Sequence, residues 1–117
     1  MATVSSHTLN GVDGSHAAAV RMQLKNLATG AILFDTATDV AGRLSMAVDL
    51  RAFDVTDQYE MICWSGEYWA SQDLPRDGVQ IMQQIVLRFT MPNVDARYHI
   101  PLILNPNSYS CWWSLPE

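Results

Sequence analysis

The sequence predicts an all-β protein, a two-sheet β-sandwich of seven or eight strands with one short helix. Three observations point there. Apolar and polar residues alternate with a period of two in one stretch after another. Clusters of Gly, Pro, Asn and Asp punctuate those stretches. A single short window carries helix formers, and a proline stops it.

Residues 3–9 mix polar and apolar side chains and form a first strand, ended by the turn formers of Asn10 to Ser15. Val20, Met22 and Leu24 then alternate with Arg21, Gln23 and Lys25, the pattern of a half-buried strand. Thr29-Gly30 turns the chain, and residues 31–38 resume extended character with β-branched and aromatic residues. Ala41-Gly42 breaks that strand, and residues 43–50 alternate again with Leu44, Met46 and Val48 on one side. Residues 59–64 form a short, mostly apolar strand in which Trp64 packs on the sheet. Ser65-Gly66 ends it, and residues 67–74 are the expected helix, closed by Pro75.

Residues 79–91 read as the longest strand, with Val79, Ile81, Ile85, Leu87, Phe89 and Met91 on one face and Gln83 as its polar exception. Near the C-terminus Tyr98, Ile100, Leu102 and Leu104 alternate with His99, Pro101, Ile103 and Asn105. With the even-numbered residues in the core, His99 points to solvent, a groove or a partner subunit. Pro101 has no N–H, which puts the strand near a sheet edge or makes its pairing irregular. Asn105 to Ser108 is a turn leading into a short aromatic strand, so the unit is a β-hairpin.

With 117 residues the chain fits one domain, 1–117, that can bury a core without metal or disulfide support. The formal charge of −5 provides no basic stripe for phosphates, which excludes a general nucleic-acid binder. No apolar run is long enough to span a bilayer and no secretory leader is visible, so the expectation is a cytoplasmic protein with no membrane partner. Only 16% of residues are charged, a sparse surface that hints at subunit interfaces. Cys63 and Cys111 show no disulfide spacing and are expected as reduced, buried thiols.

Motifs in order along the chain resemble those of the transthyretin-like family, whose enzymatic branch is 5-hydroxyisourate hydrolase. Val4 to Asn10 resembles the opening strand with its functional histidine, and Gly14, Ala17-Ala18 and Val20 its continuation. Thr38 to Arg43 resembles Thr-Asn/Asp-x-Asp-Gly-Arg, and Ser65 to Trp69 resembles Thr-Gly-Asp/Ala-Tyr-Phe. Arg97 to Asn105 resembles His-Tyr-His-Val-Pro-Leu-Leu-Leu-Ser, and Tyr109-Ser110 opens the closing motif Tyr-Ser-Thr-Tyr-Arg-Gly-Ser. The resemblance implies a transthyretin-like sandwich, assembled as a homotetramer with active sites where subunits meet, acting on a cyclic ureide without a cofactor.

By that resemblance His7, Arg43 and His99 are the catalytic set, and Tyr109 and Ser110 line the site. Imidazole suits water activation because it titrates near neutral pH. Guanidinium suits a carbonyl or carboxylate because its donors lie in one planar array. None of the three is diagnostic alone. His16 falls where the family prefers Lys or Arg and is expected as a surface turn residue. Neutral imidazoles bind zinc, but the spacing of His7, His16 and His99 follows no zinc pattern, and no metal is expected.

The chain departs from the family at Arg97, which replaces a histidine, and after Ser110. There Cys111-Trp112-Trp113-Ser114-Leu115 stands in place of Thr-Tyr-Arg-Gly-Ser. Trp112 and Trp113 offer flat apolar walls with one N–H donor each, suited to a ring whose nitrogens carry methyl groups. The expected substrate is therefore 5-hydroxyisourate or an N-methylated form of it, such as the trimethyl compound expected when caffeine is oxidised through methylurates. A non-catalytic carrier of a small hydrophobic ligand is the competing expectation, with the tryptophans in its favour and the His7, Arg43, His99 set against it.

Overall fold

Along the first strand every second side chain is buried: Ala2, Val4, Ser6, Thr8 and Asn10 face inward. The computed structural model describes residues 1–75 and 78–117. Its strands are β1 (Ala2–Asn10), β2 (Arg21–Asn26), β3 (Ile32–Ala37), β4 (Arg43–Val48) and β5 (Gln58–Cys63). The helix α1 (Ser65–Ala70) follows, then β6 (Ile85–Thr90), β7 (Arg97–His99), β8 (Leu102–Asn105) and β9 (Ser108–Cys111). One sheet has the order β4-β1-β8-β9, with β7 also on β1, and the other has the order β3-β2-β5-β6. The sandwich expected from the alternation is the fold observed.

The core between the sheets takes Val4, Leu44, Tyr98, Leu102 and Leu104 from the first sheet. Met22, Leu24, Phe34, Tyr59, Met61 and Ile85 meet them from the second. Each fully buried side chain of this size contributes roughly 1.5–3 kcal/mol relative to exposure. Trp69 of α1 is also fully buried, and Asn10 Nδ2 donates to the Tyr68 hydroxyl at 3.1 Å, tying the helix to the end of β1. Trp64 is half-buried, with the Arg21 guanidinium over its ring at 4.0 Å. Among the described residues no helix is long and apolar enough to cross a membrane.

Several elements differ from expectation. The strand expected over 79–91 is formed only at Ile85–Thr90, and Val79 and Ile81 are 87% and 89% exposed. Among the described residues its only ladder is to β5, which ends at Cys63 opposite Ile85, so no described strand remains to pair the residues before it. That segment is held by single bonds instead, Gly66 N–H to Gln83 O at 2.9 Å and Gln80 Nε2 to Pro106 O. The helix runs Ser65–Ala70 rather than over 67–74, because Ser71 ends it by turning its hydroxyl onto Tyr68 O at 2.6 Å. Cys63 is buried as expected, but Cys111 is exposed because β9 is an edge strand whose four residues all face solvent.

The strand containing Pro101 is interrupted rather than peripheral. β7 and β8 run parallel to β1 in one continuous register, Ser5 opposite His99 and Thr8 opposite Leu102. Ile100 N–H donates to Ser5 O at 2.9 Å, and the Ser6 hydroxyl donates to Ile100 O at 2.7 Å. Pro101 cannot donate, and the ladder resumes beyond it with β9 on the far side of β8.

Candidate active site

The residues of β1 that point away from the core are Thr3, Ser5, His7 and Leu9. His7 stands directly opposite Arg43 in the antiparallel ladder to β4, and Ser5 is opposite Ser45. On its other side Ser5 is level with His99 of β7. Directly opposed residues share a face, so the structure gathers His7, Arg43 and His99 on the outer surface of one sheet. Ser5 and His7 lie about 7 Å apart along the strand, the span of two residues.

Each imidazole has one nitrogen engaged. The Nδ1 of His99 is 2.8 Å from the Ser5 hydroxyl, which leaves Nε2 available on the open side. The Nε2 of His7 is 3.1 Å from the carbonyl oxygen of Ala41. A carbonyl only accepts, so Nε2 carries the hydrogen and Nδ1 is the basic nitrogen of the neutral ring. Burial holds the His7 pKa below its usual 6.5, and the Arg43 guanidinium lowers it further. The Ala41 bond opposes that shift, while like-charge repulsion from His16 and His99, when those rings carry a proton, adds to it.

The turn before β4 sets the Ala41 carbonyl and Arg43 together. Asp39 Oδ1 accepts from the N–H groups of Ala41 and Arg43, both at 2.9 Å. Gly42 between them has φ +72°, and a Cβ there would collide with Thr8 O. Thr8 N–H donates to Gly42 O at 2.7 Å, and the Thr8 hydroxyl donates to Ala17 O at 2.7 Å. Two loops distant in sequence are thereby tied to β1 beside His7.

The charge on this face is distinctive. Among the described residues Arg21 pairs with Asp35, Arg51 with Asp49, and both Arg88 and Lys25 with Glu60. Arg43 and Arg97 form no ion pair among the described residues, and both belong to the face that carries His99. An acidic chain thus presents two unneutralised guanidiniums beside two imidazoles.

The closing segment is brought in only partly. Ser110 pairs with Ile103 and shares the outer face, whereas Tyr109 pairs with Leu104 and so points to the opposite side. Beyond β9 the tail folds back until Arg97 N–H donates to Glu117 O at 2.8 Å. An apolar cleft of about 400 Å³ results, in which Trp113 faces Phe89, Pro92 and His99. A smaller and more polar cleft of about 320 Å³ lies between Ser5, Arg97, His99, Leu115 and Glu117. Trp112 borders neither, although only 46% of it is exposed against 73% of Trp113. His7 and Arg43 lie outside both clefts, on the open sheet face.

Sequence reasoning missed three neighbours. Ser5 is an ordinary strand serine until the parallel pairing with β7 is known. Arg97 looked like a lost histidine and not like a gained charge. His16 is exposed, as expected, but its Nδ1 is 3.0 Å from His7 Nε2 and the two rings stack 5.1 Å apart. An isolated bridge between Leu9 and His16 folds the turn back against β1 and creates that contact. Among the described residues no group of three or more His, Cys, Asp or Glu is placed to hold a metal.

The chain as a whole is similar to known proteins. The chain is 26% identical over 111 residues to 5-hydroxyisourate hydrolase 2 of Rhizobium meliloti, covering 93% of this chain and 92% of the relative. It is 25% identical over 115 residues to the 5-hydroxyisourate hydrolase of Pseudomonas aeruginosa, covering 96% and 90%. Among solved structures, (S)-allantoin synthase superposes with a TM-score of 0.80 at 29% identity over 97% of this chain. The chain spans 44% of the length of that synthase. Transthyretin from Sparus aurata superposes with a TM-score of 0.76 at 19% identity, covering 95% of each chain, which shows the shared fold. The model of the HIUase/Transthyretin family matches residues 4–113, and the chain belongs to that family.

Proposed function

We propose that this hydrolase opens the ring of 5-hydroxyisourate or of an N-methylated 5-hydroxyisourate. The observation that carries the reading is the pairing of His7 with Arg43 directly across β1 and β4, with His99 two residues along on the same open face. The curated relatives named 5-hydroxyisourate hydrolase support the substrate class. His7, kept neutral by its lowered pKa, takes a proton from water through Nδ1 as the oxygen attacks a ring carbonyl. Arg43, free of any carboxylate among the described residues, holds that carbonyl oxygen and stabilises its growing negative charge. His99 orients the water or returns a proton to the departing ring nitrogen through Nε2, the nitrogen that Ser5 leaves free.

Trp113 beside His99 favours the methylated substrate, since each methyl group buried against it contributes roughly 0.8 kcal/mol. Ser110 on the same face supplies a hydroxyl for the ring. The face is open in a single chain and needs cover to exclude water, which a homotetramer with sites between subunits would provide.

The test is the decay of ultraviolet absorbance of 5-hydroxyisourate and its trimethyl counterpart, each generated in situ by a urate-oxidising enzyme. Acceleration of the methylated compound alone establishes a hydrolase selective for methyl groups, and acceleration of the plain compound establishes the parent activity. The apolar cleft under Trp113 favours one second reading, a carrier of a small hydrophobic ligand. Ligand quenching of tryptophan emission without hydrolysis of either compound would establish it.

A further inference from the structure

His16 has no role in the function proposed above, yet it makes the closest side-chain contact to His7. Its Nδ1 lies 3.0 Å from His7 Nε2, and the rings stack at 5.1 Å with planes 30° apart. The Ala41 carbonyl at 3.1 Å requires the hydrogen to be on His7 Nε2. His16 Nδ1 is then an acceptor, its own hydrogen is on its Nε2, and the His7 N–H is shared between two acceptors. The ring of His7 is held by an edge contact and a face contact together.

We propose that His16 is a positioning residue for His7, holding its ring orientation and accepting from Nε2–H as the ring becomes cationic. This rests on the reading of His7 as the water-activating base. When His7 Nδ1 takes the proton from water, Nε2–H becomes a charged donor, and hydrogen bonds from charged donors are stronger than those from neutral ones. The contact therefore strengthens on going to the transition state, the kind of interaction that raises kcat without tightening substrate binding. Lys or Arg at this position would have no acceptor to offer. The arrangement belongs to this chain's histidine and to the turn that carries it onto β1.

The experiment compares wild type with His16→Ala, His16→Lys and His16→Asn. The amide oxygen of asparagine occupies nearly the position of an imidazole Nδ1 and accepts without carrying charge. In His16→Ala and His16→Lys, kcat should fall roughly tenfold with KM unchanged, as when the orienting partner of an imidazole is removed. His16→Asn should recover most of the loss. In parallel, ¹⁵N resonances of the His7 ring should show a protonated Nε2 in wild type and move in His16→Ala. Full turnover in all three variants, or His7 resonances unchanged in His16→Ala, would overturn the proposal. A wild-type chain that opens neither isourate would sink the proposed function instead, a failure read from wild type alone, and the positioning role would go with it.

Discussion

Ser5 and His99, 94 residues apart in sequence, are joined by a 2.8 Å hydrogen bond between adjacent strands. The bond fixes which imidazole nitrogen faces the open side, because Ser5 is nearly buried and can reach only Nδ1. Ser5→Ala should keep the fold, since its side chain points away from the inter-sheet core, and should lower kcat roughly tenfold. Thermal melts paired with initial rates check this, and an unchanged rate would remove the bond from the mechanism.

Arg43 and His99 should be indispensable for turnover and dispensable for folding. Each is exposed, so Arg43→Ala and His99→Ala should melt close to wild type while losing activity by about 100-fold or more.

The pH behaviour of His7 follows from the direction of its shift. Burial and Arg43 hold its pKa below 6.5, so its basic form persists below that pH and the acid limb of kcat/KM should lie under 6.5. Arg43→Gln removes a lowering influence, and the His7 midpoint followed by NMR titration should then move to higher pH. A midpoint that stayed put would show that the two side chains do not feel one another.

Gly42→Ala tests the turn. The left-handed φ and the Thr8 carbonyl together should cost about 2 kcal/mol in urea unfolding. Activity should fall beyond what lost stability explains, because the neighbours on either side carry the His7 acceptor and the guanidinium.

The two tryptophans should separate. Trp113 lines the cleft beside His99 and Trp112 does not. Trp113→Ala should reduce preference for the trimethyl compound by about tenfold or more, while Trp112→Ala should leave it within about twofold. Equal effects would assign both rings to packing.

Much of this molecule was legible before any coordinates, because strands with one buried face write their register into the sequence. Leu44, Met46 and Val48 alternate on paper and in space, and the inward set from Tyr98 to Leu104 put His99 outward correctly. The failures have a common physical origin. Val79 and Ile81 looked like strand because β-branched apolar residues favour strands, but a strand also needs a neighbour, and β5 had already ended. Tyr109 matches the family's closing motif, and its pairing with Leu104 places it on the face opposite Ser110. His16 is exposed as expected, and its contact with His7 was not legible because it exists only once the turn folds onto Leu9.

The parallel pairing of β1 with β7 and β8 also governs when the site can come into being. Its parts lie at residues 5–7, 39–43 and 97–99. A chain emerging from the ribosome carries His7 long before His99 exists to stand beside it. If the proposed site is the working one, an amino-terminal fragment lacking β7 should open no ring, and premature stops should yield inert protein rather than a leaky hydrolase. Such distant closures are slow compared with local turns. Recovery of activity after dilution from denaturant should therefore coincide with the last folding phase and never precede it.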